Sequence, residues 1–340
     1  MELKDLVTLG IKILNADASA PVSYSFGDKQ ITYEAMNEKF VSELNALAGT
    51  HLDFMENAPK IYTLMEQIVD DVLPKRVLEQ WGRVAEVKQF NQGDKPVFYQ
   101  RITEASKRRA KQFITKVGLA GRYEVFKLDG KSWTVPTSAY GGAAQISIEE
   151  LLDKRITLSD VLDIVLEGMD EAIFLEIERA LKTAAVSLQP ANKHSATSFD
   201  ETQMDRLLSV ADSYGKATIF CTYEFAATMV PASGDWISDR MADEKWTNGY
   251  LARYKGHDIV ILDQSYEDDT NSVKVIDPAY AWIIPAGADK PVKVALEGQT
   301  IVKQFDNRDF STEIQMYKKV GVTATITNNI CVYRNTSLTR

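Results

Sequence analysis

The residue types that most often carry out chemistry are scarce in this sequence. It contains three histidines, His51, His194 and His257, and two cysteines, Cys221 and Cys331. The histidines stand in unrelated contexts, and both cysteines lie in apolar, strand-like runs, where a buried structural thiol is expected before a disulfide or a nucleophile. We therefore assign no chemistry to the cysteines.

Two clusters of acids and a pair of tryptophans are the next candidates. Carboxylates at 70–71 and 267–269 could bind a cation or share a proton, but adjacent acids in turn-like sequence usually only solvate the surface. His257 begins a strand-like run, so an edge or turn histidine is expected before a general base. Trp236 and Trp246 flank a polar segment and are expected to pack at a lobe edge before they stack on a ligand.

Motifs of known catalytic mechanism are absent from the sequence. It has no phosphate-binding loop, no serine nucleophile elbow, no zinc-protease helix and no Cys-x-x-Cys pair. The residues therefore predict no catalytic site, no cofactor and no metal, and argue against an enzyme.

The densest basic cluster is the remaining candidate site. It lies in TEASKRRAKQFITKVG, which we predict to be a short helix with Thr103 at its cap and Gly118 at its end, and it consists of Lys107, Arg108, Arg109 and Lys111. Such a cluster is most often a solvated helix face, and otherwise a contact with another molecule.

One long helix organises the elements that would position these residues. From Thr157 to about Leu188, apolar residues recur every three or four positions, while most acids, Asp170 and Glu178 among them, fall elsewhere. About thirty residues make a rod of about 45 Å, which is longer than an ordinary globular helix. A rod of this length predicts an extended structure around it.

The rest of the chain divides into three parts that differ in predicted secondary structure. Residues 1–82 predict helices near 2–14, 32–47 and 61–72, with turns at 26–28 and 58–60 and an end at Pro74. Residues 83–146 predict strands, with a hairpin turn at Asp129-Gly130 and a loose connector at Tyr140 to Ala144. After a polar linker at 189–198, an α/β lobe precedes long strands over 291–337.

Composition limits the class of protein. With 340 residues, 45% hydrophobic and 26% charged, the chain can bury a large core in two or three lobes. A net charge of -9 argues against a protein whose main task is to wrap nucleic acid. No signal peptide or apolar span is recognisable, so residence in a cytoplasm is the default expectation.

The order of these parts resembles the tailed-bacteriophage major capsid protein of the Hong Kong 97 fold. The resemblance covers about residues 80–337 and depends on GGAAQISIEELLDKRITLSDVL leading into the long helix, on KATIFC and WTNGYLARYKGHDIVIL in the lobe, and on the final GVTATITNNICVYR strand. It implies an α+β fold with a helical N-terminal arm (1–82), an extended β E-loop (83–146), a P-domain with a spine helix (147–197), an α/β axial A-domain (198–289) and P-domain return strands in an elongated sheet (290–340).

The resemblance also implies function and partners. The subunit would assemble with itself into hexamers and pentamers of an icosahedral phage head around double-stranded DNA, bound without sequence specificity. Portal and scaffolding proteins would be partners, no membrane would be involved, and the virion, assembled in the host bacterial cytoplasm, would be the location. The basic cluster would then be an inter-subunit contact. Some members crosslink an E-loop Lys to a P-domain Asn; Lys107, Lys111 or Lys116 and Asn328 or Asn329 match in type only.

Two alternatives remain open at the level of sequence. An encapsulin-like bacterial compartment has the same fold and would hold a cargo peptide in place of DNA. An α/β enzyme with a strand-rich appendage is the less favoured alternative, because the catalytic motifs are missing.

Overall fold

The structure of the chain is a computed structural model. It describes residues 3–14, 24–26, 29–31, 33–47, 51–82, 84–100, 131–146, 158–229, 239–262, 264–268, 270–286, 290–306, 312–325 and 329–338. Predictions for the segment 101–130, which include the basic cluster, the helix from Thr103 and the turn at Asp129-Gly130, lie outside these residues.

The described part contains the following elements in chain order. The helices are α1 (Leu3–Leu14), α2 (Tyr33–Leu47), α3 (His51–Trp81), α4 (Leu158–Val186), α5 (Glu201–Asp212), α6 (Tyr223–Thr228) and α7 (Asp239–Asn248). The strands are β1 (Tyr24–Phe26), β2 (Lys29–Ile31), β3 (Ala85–Phe90), β4 (Val97–Gln100), β5 (Lys131–Thr134), β6 (Ser138–Ile146), β7 (Lys193–Ala196), β8 (Ala217–Cys221), β9 (Arg253–Tyr254), β10 (His257–Ile261), β11 (Tyr280–Pro285), β12 (Val292–Asp306), β13 (Thr312–Ala324) and β14 (Cys331–Asn335).

The long helix is confirmed as α4, with 29 residues and a length of about 43 Å at 1.5 Å per residue. Its buried stripe follows the predicted spacing: Leu162, Leu166, Met169, Ile173, Ile177, Leu181, Ala185 and, just beyond the helix, Leu188. The placing of two acids on the polar side was wrong. Asp170 and Glu178 are buried, because each meets a polar group of another element.

The third helix is longer than predicted. The expected turn at 58–60 and the expected end at Pro74 are both wrong, since α3 runs through Pro59 and Pro74. A proline inside a helix leaves the carbonyl four residues earlier without its N–H partner. For Pro74 that carbonyl belongs to Asp70, and it accepts a hydrogen bond from Gln89 Nε2 at 3.3 Å. The broken helical bond is thus replaced by a tertiary one.

A four-stranded sheet in the order β3-β12-β13-β6 packs against α3 and α4. β3 is parallel to β12, and the other pairs are antiparallel. The segment from Tyr140 to Ala144 is not a loose connector, as the sequence had suggested, but the centre of β6. Packing explains Gly141, because a Cβ on this residue would lie 2.5 Å from the carbonyl oxygen of Met316 on β13.

A second, six-stranded sheet has the order β7-β14-β11-β8-β10-β9. The α/β character predicted for the lobe after residue 198 is confirmed, because the helices α5 and α6 and the strands β8, β10 and β11 lie there. Two expectations are corrected: the polar linker at 189–198 contains a 3-10 turn and β7, and the strand that the alternation in NSVKVI predicts at 272–276 is only an isolated bridge at Lys274. β14 joins this sheet and not the elongated one, because it pairs with β7 and β11.

Two hydrophobic cores correspond to the two sheets. The larger core joins α1, α2 and α3 to α4, to the four-stranded sheet and to one face of the six-stranded sheet, where Phe220, Trp282 and Val332 belong to it. The smaller core lies between α5, α6 and the opposite face of the six-stranded sheet. A third cluster of Phe98, Val135 and Ala295 anchors the two-stranded ribbon β4-β5 to β12. The residues beside the segment 101–130 are therefore fixed to the main sheet.

Candidate functional site

The outer part of β12 is covered by a helix where a strand would otherwise be expected. β3 pairs with β12 only from Val292 to Glu297, and the register of β12 shifts between Glu297 and Ile301. Beyond this bulge, side chains of α3 take the place of a neighbouring strand. The three contacts are Asp70 with Thr300, Glu66 with Val302, and Tyr62 with Gln304.

These contacts form a ladder, which we call the capped edge. Asp70 accepts the Thr300 backbone N–H at 3.0 Å, and Glu66 accepts the Val302 backbone N–H at 2.8 Å. At the third rung, the Tyr62 hydroxyl donates to Gln304 Oε1 at 2.5 Å. Four helical residues rise about 6 Å and two strand residues about 6.6 Å, so the two repeats match over this distance.

Asp70 also neutralises a buried cation. It accepts a hydrogen bond from Lys318 Nζ, whose side chain is only 2% exposed and reaches across from β13. A charge removed from water needs such a partner. The expectation that Asp70 and Asp71 merely solvate the surface is therefore wrong for Asp70, whereas Asp71 does lie at the surface and pairs with Lys75.

The base of the excursion at 83–146 is held by one carboxylate. Glu297 accepts hydrogen bonds from the Thr137 hydroxyl, from the Gly93 backbone N–H at 3.0 Å and from Lys319 Nζ at 3.2 Å. These bonds lower the pKa of Glu297 to about 2. Since Gly93 precedes the excursion's ribbon and Thr137 follows it, Glu297 joins both stems to the main sheet.

A second buried cation lies beside these stems. Lys293 Nζ lies 2.5 Å from Glu86 Oε2, and Lys88 lies 2.6 Å from the other oxygen. Burial alone would raise the pKa of Glu86, but the hydrogen bonds from Lys293 and Lys88 outweigh it and the pKa is lowered. Both ammonium groups also approach the ring of Phe98 on β4, at 4.9 Å for Lys88 and 5.9 Å for Lys293.

An acidic cleft of about 310 Å³ separates α3 from α4. It is lined by Arg76, Glu79, Glu167, Asp170, Glu171 and Phe174. Arg76 donates to Asp170 Oδ2 at 3.2 Å, while Asp170 Oδ1 is buried without a hydrogen-bond partner among the described residues. Burial raises the pKa of Asp170 to about 6 despite the nearby guanidinium. The contact between the two helices is therefore sensitive to protonation.

None of these groups forms a recognisable centre for a bound metal. Within the described ranges, no set of three or more His, Cys, Asp or Glu side chains is arranged to hold a metal ion. The same part of the chain contains no helix that is long and apolar enough to cross a membrane.

The sequence-predicted site residues are only partly placed. Lys107, Arg108, Arg109 and Lys111 fall in the segment 101–130, outside the described residues. Of the crosslink candidates only Asn329 is described, and it is buried. The structural role expected for the cysteines is confirmed: both are free and buried, and burial raises the pKa of each thiol to about 12.

The remaining candidates have local structural roles. His257 Nδ1 lies 3.1 Å from the carbonyl oxygen of Ala217, and β10 has strand neighbours on both sides, so it is not an edge. Asp268 accepts the backbone N–H groups of Ser272 and Val273 and shapes a turn. Trp246 is 92% exposed on α7, so the expectation that it packs at a lobe edge is wrong for the single chain.

Sequence reasoning assigned Asp70 to the surface and missed Glu297 and the two buried lysines. A signal existed for one of the lysines, because Lys318 shares the apolar face of its strand with Ile314, Met316 and Val320. The carboxylates that neutralise them are more than 200 residues away along the chain. Nothing local in the sequence reveals those pairings.

Comparisons with known proteins agree with this geometry. A model of the family described as "SPbeta prophage-derived putative capsid protein YonB" matches residues 10–333. No curated protein matches the sequence significantly.

Three solved structures illustrate the likeness in fold. The head structure of Helicobacter pylori bacteriophage KHP40 aligns with a TM-score of 0.50 at 12% identity, covering 75% of this chain and 91% of that one. The capsid of cyanophage P-SCSP1u gives 0.49 at 9% identity, with coverages of 75% and 86%. The SrpI encapsulin complex of Synechococcus elongatus PCC 7942 gives 0.45 at 11% identity, with coverages of 77% and 89%.

At such low sequence identities a structural similarity is evidence for the fold alone, and the fold assignment depends on the KHP40 head structure. The mixed helix and sheet architecture is that of the Hong Kong 97 capsid fold, as the sequence predicted. The family match spans nearly the whole chain and favours a phage capsid over a bacterial compartment. The chain therefore belongs to the YonB family of prophage-derived capsid proteins.

Proposed function

We propose that the chain is a major capsid protein that assembles with itself into hexamers and pentamers of an icosahedral phage head enclosing double-stranded DNA. The observation that carries the proposal is the capsid family match over residues 10–333. The architecture is consistent with it, because thin extended elements such as the β4-β5 ribbon become stable by burying surface against neighbours.

The proposal includes partners and a location. Portal and scaffolding proteins would direct assembly in the host bacterial cytoplasm, and the finished subunit would be a component of the virion. Packaged DNA would touch the inner face without sequence specificity, through local patches only, because the net charge is -9. A subunit of this kind needs no catalytic residue, so we propose no enzymatic activity.

Electron microscopy of the purified protein tests the proposal. We expect closed particles or ring-shaped capsomers that form cooperatively above a threshold concentration, with or without a scaffold, because many modest contacts reinforce one another. A protein that stays monomeric at high concentration, with and without a scaffold, would contradict it. Particles that load a cargo protein, and neither accept a portal nor package DNA, would favour the encapsulin-like alternative.

The basic cluster of Lys107, Arg108, Arg109 and Lys111 is proposed as a contact with a neighbouring subunit. One exposed ion pair contributes about 1 kcal/mol or less, but its repetition around a closed shell would shift assembly strongly. We expect Arg108→Glu with Arg109→Glu to keep the melting temperature of the subunit and to block or delay shell formation. Normal empty shells from this variant would contradict a subunit contact, and a defect confined to DNA filling would favour contact with DNA.

A further inference from the structure

Strand β6 leaves one margin of the four-stranded sheet open. It pairs with β13 along its full nine residues, and on its other side no strand of the described part follows. Nine residues extend about 30 Å. Along this margin every second residue presents its backbone N–H and C=O groups outward, which is the arrangement that accepts another strand.

The other strand edges of the described chain are protected. The outer part of β12 is covered by α3 through the capped edge. β7 has four residues, and Arg206 donates to the carbonyl oxygens of Ala191 and Lys193 beside it, at 3.1 and 3.4 Å. β9 has two residues and is flanked by charge from Arg253 and Lys255. Short length, a charge or a cap are the usual devices against unwanted pairing.

The remaining edges follow the same rule, and β6 does not. β3 carries Glu86 and Lys88, the ribbon strands β4 and β5 have four residues each, and β1 and β2 have three residues each. β6, with the sequence SAYGGAAQI, has no charged residue and no proline. Its central residues are small and those from Gly141 to Ala143 are exposed, so no large side chain blocks an approaching backbone.

We propose that the open edge of β6 accepts an extended segment from a second copy of this chain, as a fifth strand of the sheet. The inference rests on the proposed function, in which every subunit has identical neighbours at high local concentration. An edge without Lys or Arg has nothing to attract nucleic acid phosphates, and one without charge of either sign does not select a charged peptide. A neutral backbone from the same chain fits this chemistry.

Hydrogen exchange of the peptide 138–146 tests the inference directly. In free subunits the amides bonded to β13 should be protected, and the outward ones should exchange quickly. In assembled shells the outward amides should become protected as well, so that roughly twice as many amides of this peptide exchange slowly. Shells in which the peptide exchanges as it does in free subunits would overturn this inference alone. If no shell forms under any condition, the proposed function fails and this inference fails with it.

Two proline variants provide an independent readout. Of the neighbouring residues Gly142 and Ala143, one directs its N–H to β13 and the other outward. Gly142→Pro and Ala143→Pro should therefore differ: one loses a bond within the sheet and melts lower, while the other keeps its melting temperature but raises the concentration needed for assembly by about tenfold or more. A proline variant that keeps the melting temperature and assembles at the unchanged concentration would contradict the proposal.

Discussion

The two margins of the four-stranded sheet are treated in opposite ways. On the β12 side, α3 places Asp70 and Glu66 against backbone N–H groups that no strand reaches. On the β6 side, nine uncharged residues are left without such a cover among the described elements. One margin is closed within the subunit, and the other remains available to a neighbour.

The two margins differ in their charged side chains. The closed margin needs carboxylates and encloses the buried Lys318, whose acidic partner Asp70 lies on α3. The open margin consists of small neutral residues. Burying charged pairs rarely adds stability compared with apolar packing, but it penalises every arrangement that separates the partners. The closed margin therefore accepts only α3, which carries the matching carboxylates. The open margin has no charge that would select one partner strand over another, so other parts of the subunit must determine which strand binds there.

The largest effect should come from breaking the closed margin at its centre. Asp70→Asn leaves Lys318 buried with no compensating charge, so we expect a loss of roughly 3–5 kcal/mol in the free energy of unfolding, measured by urea denaturation of the free subunit. Asp71→Asn is the matched control: it removes an exposed pair with Lys75 and should cost less than about 1 kcal/mol.

A double replacement separates charge from packing at the same place. Asp70→Leu with Lys318→Met should recover most of the stability lost by Asp70→Leu alone, because no unpaired charge remains. Equal effects of the two asparagine variants would show that Asp70 does not hold the margin closed.

The attachment of α3 to α4 should make stability depend on pH. Burial raises the pKa of Asp170 from 3.8 to about 6, so the folded protein binds this proton more tightly than the unfolded chain. The stabilisation is fully present below about pH 4, is lost as the pH rises through about 6, and amounts to at most about 3 kcal/mol. The difference in unfolding free energy between the wild type and Asp170→Asn should therefore shift in favour of the variant as the pH rises from 4 to 7. Parallel pH profiles would contradict this assignment.

A smaller effect is expected where β6 meets β13. Gly141→Ala places a Cβ 2.5 Å from the Met316 carbonyl oxygen, so the strands must shift at a cost of about 1–3 kcal/mol. Gly142→Ala is its control, because a Cβ there meets nothing within 4 Å, and its stability should stay within about 0.5 kcal/mol of the wild type. Thermal melts of the two variants measure the difference, and a greater loss at Gly142 would mean that the register of β6 is wrong.

The smallest effect should come from the second rung of the capped edge. Glu66→Ala leaves the Val302 N–H without its acceptor, for a loss of about 1–2 kcal/mol, whereas Glu66→Gln keeps an acceptor oxygen and should change stability by less than about 0.5 kcal/mol. Denaturation midpoints of the pair measure this. If glutamine and alanine prove equally damaging, the charge of Glu66 matters more than its hydrogen bond.

Periodicity predicted much of the fold, because it depends on which faces are buried. The apolar stripe of α4 and the alternation along β13 are both present in the structure. The prediction that the helix breaks at Pro59 and Pro74 was wrong, since the tertiary contacts of α3 outweigh the free-energy cost of a proline within a helix. The segment around Gly141 was mistaken for a connector, because the reason for this glycine is the close approach of β13, more than 170 positions later in the sequence.

The capped edge could not be predicted from the sequence for a related reason. Its partners, such as Glu66 and Val302, are separated by 236 residues, and each acid taken alone resembles a surface residue. Lys318 could have been found from its apolar neighbours, but the identity of its partner could not. Local patterns specify the elements, and long-range polar pairs specify how those elements are joined.

The position of β14 has a consequence for the timing of folding. β14 is the last described strand to be synthesised, yet it lies inside the six-stranded sheet, between β7 and β11. Asn192, just before β7, donates to the Ile330 carbonyl oxygen across 138 residues. Closing a loop of that length costs about 4 kcal/mol of chain entropy beyond a constant term. β8, β10 and β11 can pair while synthesis continues, but β7 must wait for β14. The lobe with α5 and α6 is thus completed only after β14 has been synthesised. A nascent chain therefore cannot bind a neighbouring subunit through the finished surface of this lobe before its synthesis is nearly complete.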